Sequence, residues 1–282
     1  MLKSGKPFRL RRLSLAGDDR HLLVPLDHSV SDGPIVPAGQ WDDLLRALVA
    51  GGADGIIVHK GRARAFAPEI LGNCALVVHL SASTARAADV DAKVLVGDVE
   101  EALRLGADAV SVHVNIGSDT EARQLADLGA VARSCDTWGM PLIAMVYPRG
   151  PRIENPRDPG LLAHLVNVAA DLGADMVKTS VALPLDRMAE VVANSPIPVL
   201  AAGGPPDGSD LVEYGTAVMA SGCRGLAIGR RIFSDPAPAS LVSRLSAVVH
   251  GGSGDGGRGP AARPDGMTDD MAQYSTIVAG VA

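Results

Sequence analysis

The sequence is poor in aromatic residues, in cysteine and in long apolar runs. Phe, Trp and Tyr make up only 3% of the 282 residues, so a core must be built mainly from Ala, Val, Leu and Ile. The three cysteines, Cys74, Cys135 and Cys223, lack metal-ligand spacing, which indicates reduced thiols in a cytoplasmic protein. No apolar run approaches the ~20 residues of a membrane helix, and the basic N-terminus lacks the apolar run of a signal peptide.

Basic charge is also scarce. The chain has 26 Lys and Arg residues against 32 Asp and Glu residues, for a net charge of −6. Without a dense basic face it does not have the features of a nucleic-acid-binding protein. Only five residues are lysines, at positions 3, 6, 60, 93 and 178. A lysine inside an apolar segment therefore requires a specific explanation.

A repeated turn followed by an apolar run organises the chain. Segments 51–60, 105–114, 172–180 and 221–230 each start with a glycine-containing turn and continue as a short run of Val, Ile, Leu and Ala. Glycine commonly ends a helix, and continuous apolar runs are typical of buried parallel strands. Eight strands are predicted, at 21–28, 55–60, 75–81, 109–116, 141–148, 176–180, 198–204 and 225–231, with helical patterns between most of them.

Eight strand and helix units predict an α/β fold, a single (β/α)₈ TIM barrel over residues 21–250. A doubly wound open sheet is the alternative. Residues 1–20 are predicted to form an N-terminal arm. Residues 251–282 begin with a Gly- and Pro-rich stretch and are predicted to be a flexible tail, although their apolar end also fits a subunit contact or a lid.

Reactive side chains collect at the ends of the predicted strands, where barrel enzymes place their active sites. The starts of the strands are apolar. The strand-end residues are Asp27, His28, His59, Lys60, His79, Ser81, His113, Asn115, Tyr147, Arg149, Lys178, Thr179, Gly203, Gly204, Gly229 and Arg230. This asymmetry predicts an active site at one end of the barrel.

Lys178 is the candidate nucleophile. An apolar barrel interior disfavours the ammonium form, and a neutral amine can attack a ketone to give a Schiff base. The protonated imine withdraws electrons, so a C–C bond at the neighbouring carbon can form or break. A salt bridge between Lys178 and Asp27 is the structural alternative. Lys60 is a rival nucleophile, although its Arg-rich neighbours fit an anion-binding loop better.

Other strand ends predict binding and proton transfer. Gly203, Gly204 and Gly229 with Arg230 fit the phosphate site that barrels often build after their last two strands, or simply tight turns. Tyr147 is a candidate for proton transfer, or an amphipathic residue at the rim. The four strand-end histidines are predicted to bind substrate hydroxyls or to orient Asp27 and Lys178. A zinc site is a weaker alternative, since no H-x-H pair is present.

Several segments resemble the archaeal-type class I aldolase family in consistent order over about residues 5–250. They are "VPLDHSVSDGPI", "VVHLSAST", "KVLVGDVEEALRLGADAVSVHVNIGS", "WGMPLIAMVYPRG", "LGADMVKTS", "AAGGP" and "GLAIGRRIF". The resemblance implies a TIM barrel and a Schiff-base mechanism without metal or cofactor. It implies that Lys178 forms the imine, Tyr147 moves a proton and Asp27 assists. It also places Gly203, Gly204, Gly229 and Arg230 at phosphate-binding positions.

The resemblance also bears on the substrates. "HLSAST", "VHVNIGS" and "AAGG" are more similar to the branch that uses L-aspartate semialdehyde, and we expect dihydroxyacetone phosphate as its partner, in a route to aminohydroxybenzoate-type secondary metabolites. Arg149, Lys60 or one of His28, His79 and His113 is expected to receive the carboxylate. A transaldol-type reaction with a 5-ketofructose-1-phosphate-type donor, fructose-bisphosphate cleavage and a metal-dependent lyase are the alternatives. The family also implies a homo-oligomer. Ser29 stands where the family usually has glycine.

Overall fold

Eight parallel strands close into a barrel. The computed structural model describes residues 5–204 and 208–251. The strands are β1 (His21–Pro25), β2 (Gly55–Val58), β3 (Ala75–His79), β4 (Ala109–Ile116), β5 (Leu142–Pro148), β6 (Met176–Thr179), β7 (Val199–Ala202) and β8 (Gly225–Ala227). Each pairs with its sequence neighbours, and β8 pairs with β1 to close the circle. The predicted TIM barrel is confirmed, and the open sheet is wrong.

The strands start within one residue of the predicted positions, but several end sooner. β1 ends at Pro25 and β8 at Ala227, where the apolar pattern extends the strands to 28 and 231. Short helical turns begin at this rim, because the chain leaves the ladder to reach the outer helix layer. These turns are α2 (His28–Ser31), α4 (Lys60–Ala63) and α10 (Arg230–Phe233). The residues at 27–28, 59–60, 203–204 and 229–230 therefore lie just beyond the ladder, whereas His79, His113, Tyr147 and Lys178 lie within their strands.

The helices surround the barrel. Besides the rim turns they are α1 (Lys6–Arg12), α3 (Trp41–Ala50), α5 (Val99–Arg104), α6 (Glu121–Trp138), α7 (Pro159–Asp171), α8 (Met188–Ala193), α9 (Leu211–Ala220) and α11 (Pro238–Val249). Asp98, Asp158 and Asp210 cap α5, α7 and α9 by accepting hydrogen bonds from backbone N–H groups of the first turn. None of the helices in the described part of the chain combines the length and apolar character needed to cross a membrane.

The buried side chains form two layers. The outer layer lies between the strands and the helices. The inner layer fills the barrel and includes Leu23, Ile57 and Ile143 from the strands, with Leu13 from the segment after α1. The Leu13 carbonyl oxygen lies within hydrogen-bond distance, 2.7 Å, of Nδ1 of His21 at the start of β1. Residues of the predicted N-terminal arm thus close the floor of the barrel, and the opposite end is left for a site.

A charged network joins the segment after α1 and the residue after α11 to this floor. Asp54 is fully buried and accepts hydrogen bonds from the backbone N–H groups of Leu15 and Leu22, each at 2.6 Å. His250, just after α11, lies 3.0 Å from Asp54 Oδ2 through Nε2 and 3.0 Å from Asp18 Oδ2 through Nδ1. Burial alone lowers the pKa of His250, but the contacts with Asp54 and Asp18 outweigh it and raise the pKa. A protonated His250 therefore bridges two carboxylates.

We expect His250→Gln to destabilise the protein more at pH 6 than at pH 9. The raised folded-state pKa means that His250 contributes fully below its unfolded value of ~6.5. The contribution is lost as the pH rises through the folded-state pKa. A charge-assisted contact of this kind contributes about 1–3 kcal/mol, so urea unfolding at pH 6 should show a loss of that size. His164→Gln, at an exposed position of α7, is the control, and an equal loss at both pH values would contradict the prediction.

Candidate active site

A cavity of about 780 Å³ opens at the carboxyl-terminal ends of the strands. Eleven of the twelve predicted site residues line it, which are Asp27, His28, His79, His113, Tyr147, Arg149, Lys178, Gly203, Gly204, Gly229 and Arg230. Lys60 is the one that does not. The strand-end pattern therefore converges in space on one site.

Lys178 projects from β6 into the inner layer. Its side chain is 7% exposed, and its Nζ lies 3.9 Å from Met145 Sδ, a weak acceptor. No carboxylate of residues 5–204 and 208–251 forms a salt bridge with this ammonium, so the alternative in which Asp27 holds Lys178 in an ion pair is not what the structure shows. The amine is buried and lines the cavity, and its recorded contact is with a weak hydrogen-bond acceptor, the Met145 sulfur.

Asp27 lies beside three histidines and remains ionised. Its Oδ1 is 3.3 Å from His28 Nδ1, and its Oδ2 is 3.7 Å from His79 Nε2. Burial alone raises the pKa of Asp27, but the positive potential of His79, Lys178, His28 and His59 overcomes it and lowers the pKa to about 2. Asp27 therefore supplies a fixed negative charge in the cavity at all physiological pH values.

The histidines around Asp27 have lowered pKa values. Burial lowers the pKa of His79 to about 4, and it lowers the pKa values of His28 and His59 as well. His79 Nδ1 lies 2.8 Å from Ser111 Oγ. A neutral ring with its proton on Nε2 points an N–H at Asp27 and leaves Nδ1 to accept from the Ser111 hydroxyl. Of the three histidines, His79 thus has the ring nitrogen that faces Asp27 Oδ2, and its pKa of about 4 keeps it uncharged near neutral pH.

Tyr147 forms the neighbouring wall. It ends the inner layer at the top of β5 and is 7% exposed. Its ring centroid is 5.0 Å from that of His113, and the Arg149 guanidinium lies 4.8 Å above the ring. His113 Nε2 faces Asn115 Oδ1 at 2.7 Å, and burial holds the pKa of His113 well below its usual value. Contacts with His113 and Arg149 therefore hold the Tyr147 ring at the cavity wall.

The ends of β7 and β8 bring backbone close to the cavity. Gly203 has φ +80°, a conformation that favours glycine. A Cβ at Gly229 would collide with the Pro25 carbonyl oxygen and lie 2.7 Å from His28 Cε1. Arg230 follows at the start of α10, with its Nη1 3.6 Å from Asp32 Oδ2. The absence of a Cβ at Gly229 leaves room for the His28 ring against the backbone.

Lys60 lies outside the cavity. It starts α4, and its Nζ donates to Glu101 Oε2 of α5 at 2.9 Å. Glu101 also accepts from Arg64 at 2.7 Å. The lysine after β2 is therefore paired on the outer face of the barrel, while His59, one residue earlier, lines the cavity. The structure does not bring Lys60 to the other predicted site residues.

Three basic residues of the cavity, Lys93, Arg157 and Arg231, are missing from the sequence-based site, and the first two lie away from the predicted strand ends. Lys93 comes from the segment after β3, and Arg157 from the loop between β5 and α7. Arg157 donates to the Val181 carbonyl oxygen at 3.0 Å. Neither position follows a strand, so the strand-end rule does not select them. The rarity of lysine is the one signal that could have marked Lys93.

The histidines do not form a metal cluster. Within the described residues, no group of three or more His, Cys, Asp or Glu side chains is arranged to hold a metal ion. His59 and His79 are 5.2 Å apart between ring centroids, and His59 Nδ1 faces the His79 carbonyl oxygen at 3.2 Å. Their nitrogens are engaged with protein groups and with Asp27.

Sequence comparison agrees with this arrangement. Residues 21–235 match the profile of the DeoC/LacD family aldolases. The chain belongs to this aldolase family. It is 48% identical over 263 residues to the 2-amino-4,5-dihydroxy-6-oxo-7-(phosphonooxy)heptanoate synthase of Streptomyces griseus, covering 93% of this chain and 95% of that protein. It is 38% identical over 251 residues to the 2-amino-3,7-dideoxy-D-threo-hept-6-ulosonate synthase of Halobacterium salinarum, covering 89% and 93%.

Solved structures of the aldolase family share the barrel. An archaeal fructose 1,6-bisphosphate aldolase superposes with a TM-score of 0.75 at 25% identity, covering 87% of this chain and 99% of that one. A Schiff-base-forming fructose-1,6-bisphosphate aldolase superposes with a TM-score of 0.76 at 25% identity, covering 86% and 98%. The predicted family, the barrel and the aldolase class of enzyme are confirmed.

Proposed function

We propose that this aldolase condenses dihydroxyacetone phosphate with L-aspartate 4-semialdehyde to 2-amino-4,5-dihydroxy-6-oxo-7-(phosphonooxy)heptanoate. The observation that carries the proposal is the 48% identity, over 93% of the chain, to the synthase named for that product. The cavity supports it with a buried lysine, a phenol and an ionised carboxylate. The sequence expectation of a route to aminohydroxybenzoate-type metabolites belongs to the same proposal.

The first half of the reaction forms an enamine. The neutral amine of Lys178 attacks the ketone carbon of dihydroxyacetone phosphate, and loss of water gives a protonated imine. The charge of Asp27 stabilises this cation. Tyr147, as a phenolate whose own proton has passed to water, removes a proton from the hydroxymethyl carbon with the assistance of Asp27, and the C–H electron pair becomes the enamine double bond. Gly203, Gly204, Gly229 and Arg230 hold the phosphate.

The second half forms the new C–C bond. The enamine carbon attacks the aldehyde carbon of the semialdehyde, and Tyr147 returns the proton to the aldehyde oxygen. Water then adds to the imine and releases the ketone product from Lys178. His28, His79 and His113 lie where substrate hydroxyls would pass. Lys60, which pairs with Glu101 outside the cavity, has no part in the proposed reaction.

The proposal predicts one donor and one acceptor. With dihydroxyacetone phosphate, borohydride should trap an adduct on the Lys178 peptide, and added L-aspartate semialdehyde should convert the donor to a seven-carbon product detected by mass spectrometry. Fructose 1,6-bisphosphate and a 5-ketofructose-1-phosphate-type donor are the comparison substrates. A kcat/KM higher for either of these would overturn the choice of substrates while leaving the Schiff base in place.

Location and assembly are further parts of the proposal. Cys74, Cys135 and Cys223 are free and buried, as expected of a protein in the reducing cytoplasm. The homo-oligomer stays a prediction, for which light scattering after size-exclusion chromatography is the direct measurement.

A further inference from the structure

We infer that Lys93 and Arg149 form a second anion site, which binds the α-carboxylate of the amino-acid aldehyde. This inference rests on the proposed condensation and names the residues that would select its acceptor. Both side chains line the cavity. They stand after β3 and β5, on the side away from the glycine-rich ends of β7 and β8.

The two cations lie near each other without a salt bridge. Within the described residues, no carboxylate pairs with either, whereas the neighbouring Lys60, Arg152 and Arg230 each form an ion pair. The Lys93 ammonium donates to the Ser83 hydroxyl, and the Arg149 guanidinium lies over the Tyr147 ring. Burial and then the charge of Arg149 lower the pKa of Lys93, with Asp91 opposing them in part. A bound carboxylate would relieve the repulsion between the two cations.

A short strand ladder and two side-chain hydrogen bonds hold the segment that carries Lys93 in place. Ser81 and Ala82 pair with Leu95 and Val94 in a short antiparallel ladder, which ties the two ends of the segment together. The Asp91 carbonyl oxygen accepts two hydrogen bonds, each 2.9 Å long, from the side-chain amides of Asn115 and Gln124.

The two amides are themselves held in place. Asn115 on β4 and Gln124 on α6 are almost fully buried, and Gln124 Oε1 accepts from the Asn115 backbone N–H at 2.8 Å. Buried amides are retained where every donor and acceptor has a partner. They fix the backbone two residues before Lys93, which positions its ammonium at the cavity wall before substrate arrives. Less of the binding free energy is then lost to ordering the side chain.

The strand order separates the two anion sites. In the circle of eight strands, β3 and β5 lie four and two strands from β7, so the two sites occupy different parts of the rim. Lys178 on β6 stands between β5 and β7. The proposed product has a phosphate on its last carbon and a carboxylate on its first, with the reacting carbons between. The phosphate site, Lys178 and the Lys93–Arg149 site would bind these three parts of the product in that order.

Lys93→Met tests the inference. We expect KM for L-aspartate semialdehyde to rise ~10- to 100-fold, as for loss of a charge-assisted contact, while borohydride trapping of dihydroxyacetone phosphate on Lys178 is unchanged. Lys93→Arg should recover much of the loss, because it keeps the charge. Propanal, which has no carboxylate, should react equally well with both variants and with the wild type. Lys60→Met is the matched control, since that lysine lies outside the cavity.

Two results would overturn the inference. One is an unchanged KM for the semialdehyde in Lys93→Met. The other is an equal loss with propanal, which would indicate a structural role for Lys93. A wild-type enzyme that gives no product with L-aspartate semialdehyde would instead refute the proposed function. In that case, kcat/KM for succinate semialdehyde is divided by kcat/KM for propanal, in the wild type and in Lys93→Met. A ratio that is higher in the wild type would support carboxylate binding by Lys93, and equal ratios would overturn it.

Discussion

Lys178→Met is expected to abolish Schiff-base formation and to lower kcat/KM for condensation by at least ~10⁴-fold. Methionine has a similar length and fits the apolar surroundings that include Met145, 3.9 Å from Lys178 Nζ. The variant therefore removes the amine while keeping a side chain of similar size in the apolar surroundings. Intact mass after borohydride treatment with dihydroxyacetone phosphate measures the adduct, and product formation measures the rate.

Two further variants separate the nucleophile from its charge. Lys178→Arg keeps a cation near Asp27 but cannot become a neutral nucleophile, so it should also give no adduct. Lys60→Met should form the borohydride-reduced adduct to the same extent as the wild type. Because Lys93 also lines the cavity, the modified peptide must be identified. An adduct that persists in Lys178→Met, on Lys93 or elsewhere, would refute the assignment of Lys178.

The fold was predictable because each turn and the strand after it can be recognised from a short continuous stretch of the sequence. Glycine turns such as Gly173 before β6, at φ +94°, are followed by apolar runs that only a buried parallel strand accommodates. The count of eight then favours a barrel. The floor was not predictable in the same way, because the contacts of Leu13 and His250 depend on residues far away in the chain.

The candidate site was predictable where a functional residue lies at or just after the carboxyl-terminal end of a strand and lines the cavity. Asp27, Tyr147 and Lys178 satisfy this condition. Lys60 does not, because the chain enters α4 at that residue and its side chain turns toward Glu101. Lys93 lies in a segment without regular periodicity, so only the tertiary hydrogen bonds to Asp91 reveal where it stands.

The protonation states also required the structure. Sequence alone identifies Asp27 and the strand-end histidines as titratable. Their spacing decides that His79 is neutral, with a pKa of about 4, and that Asp27 is ionised, with a pKa of about 2. A carboxylate with so low a pKa is a weak base, which favours Tyr147 as the group that takes the proton and Asp27 as the charge that stabilises the imine.

Tyr147→Phe is expected to lower kcat by ~10²- to 10⁴-fold while borohydride still traps dihydroxyacetone phosphate on Lys178. Phenylalanine keeps the ring that contacts His113 and Arg149, so the site should retain its shape and lose only the hydroxyl. Exchange of the donor's hydroxymethyl hydrogen with deuterated water, followed by NMR without the aldehyde, measures the proton-transfer step alone. This exchange should slow by the same factor as kcat.

The control is Tyr214→Phe, because Tyr214 donates to the Ala202 carbonyl oxygen at 3.3 Å and does not line the cavity. It should leave both rates within about twofold, as expected of a change outside the site. If Tyr147→Phe exchanged the hydroxymethyl hydrogen at the wild-type rate, the phenol would not be the group that removes the proton. Asp27 would then be the remaining group beside Lys178, and Asp27→Asn should stop the exchange. Loss of trapping in Tyr147→Phe would instead assign the phenol to imine formation, one step earlier than proposed.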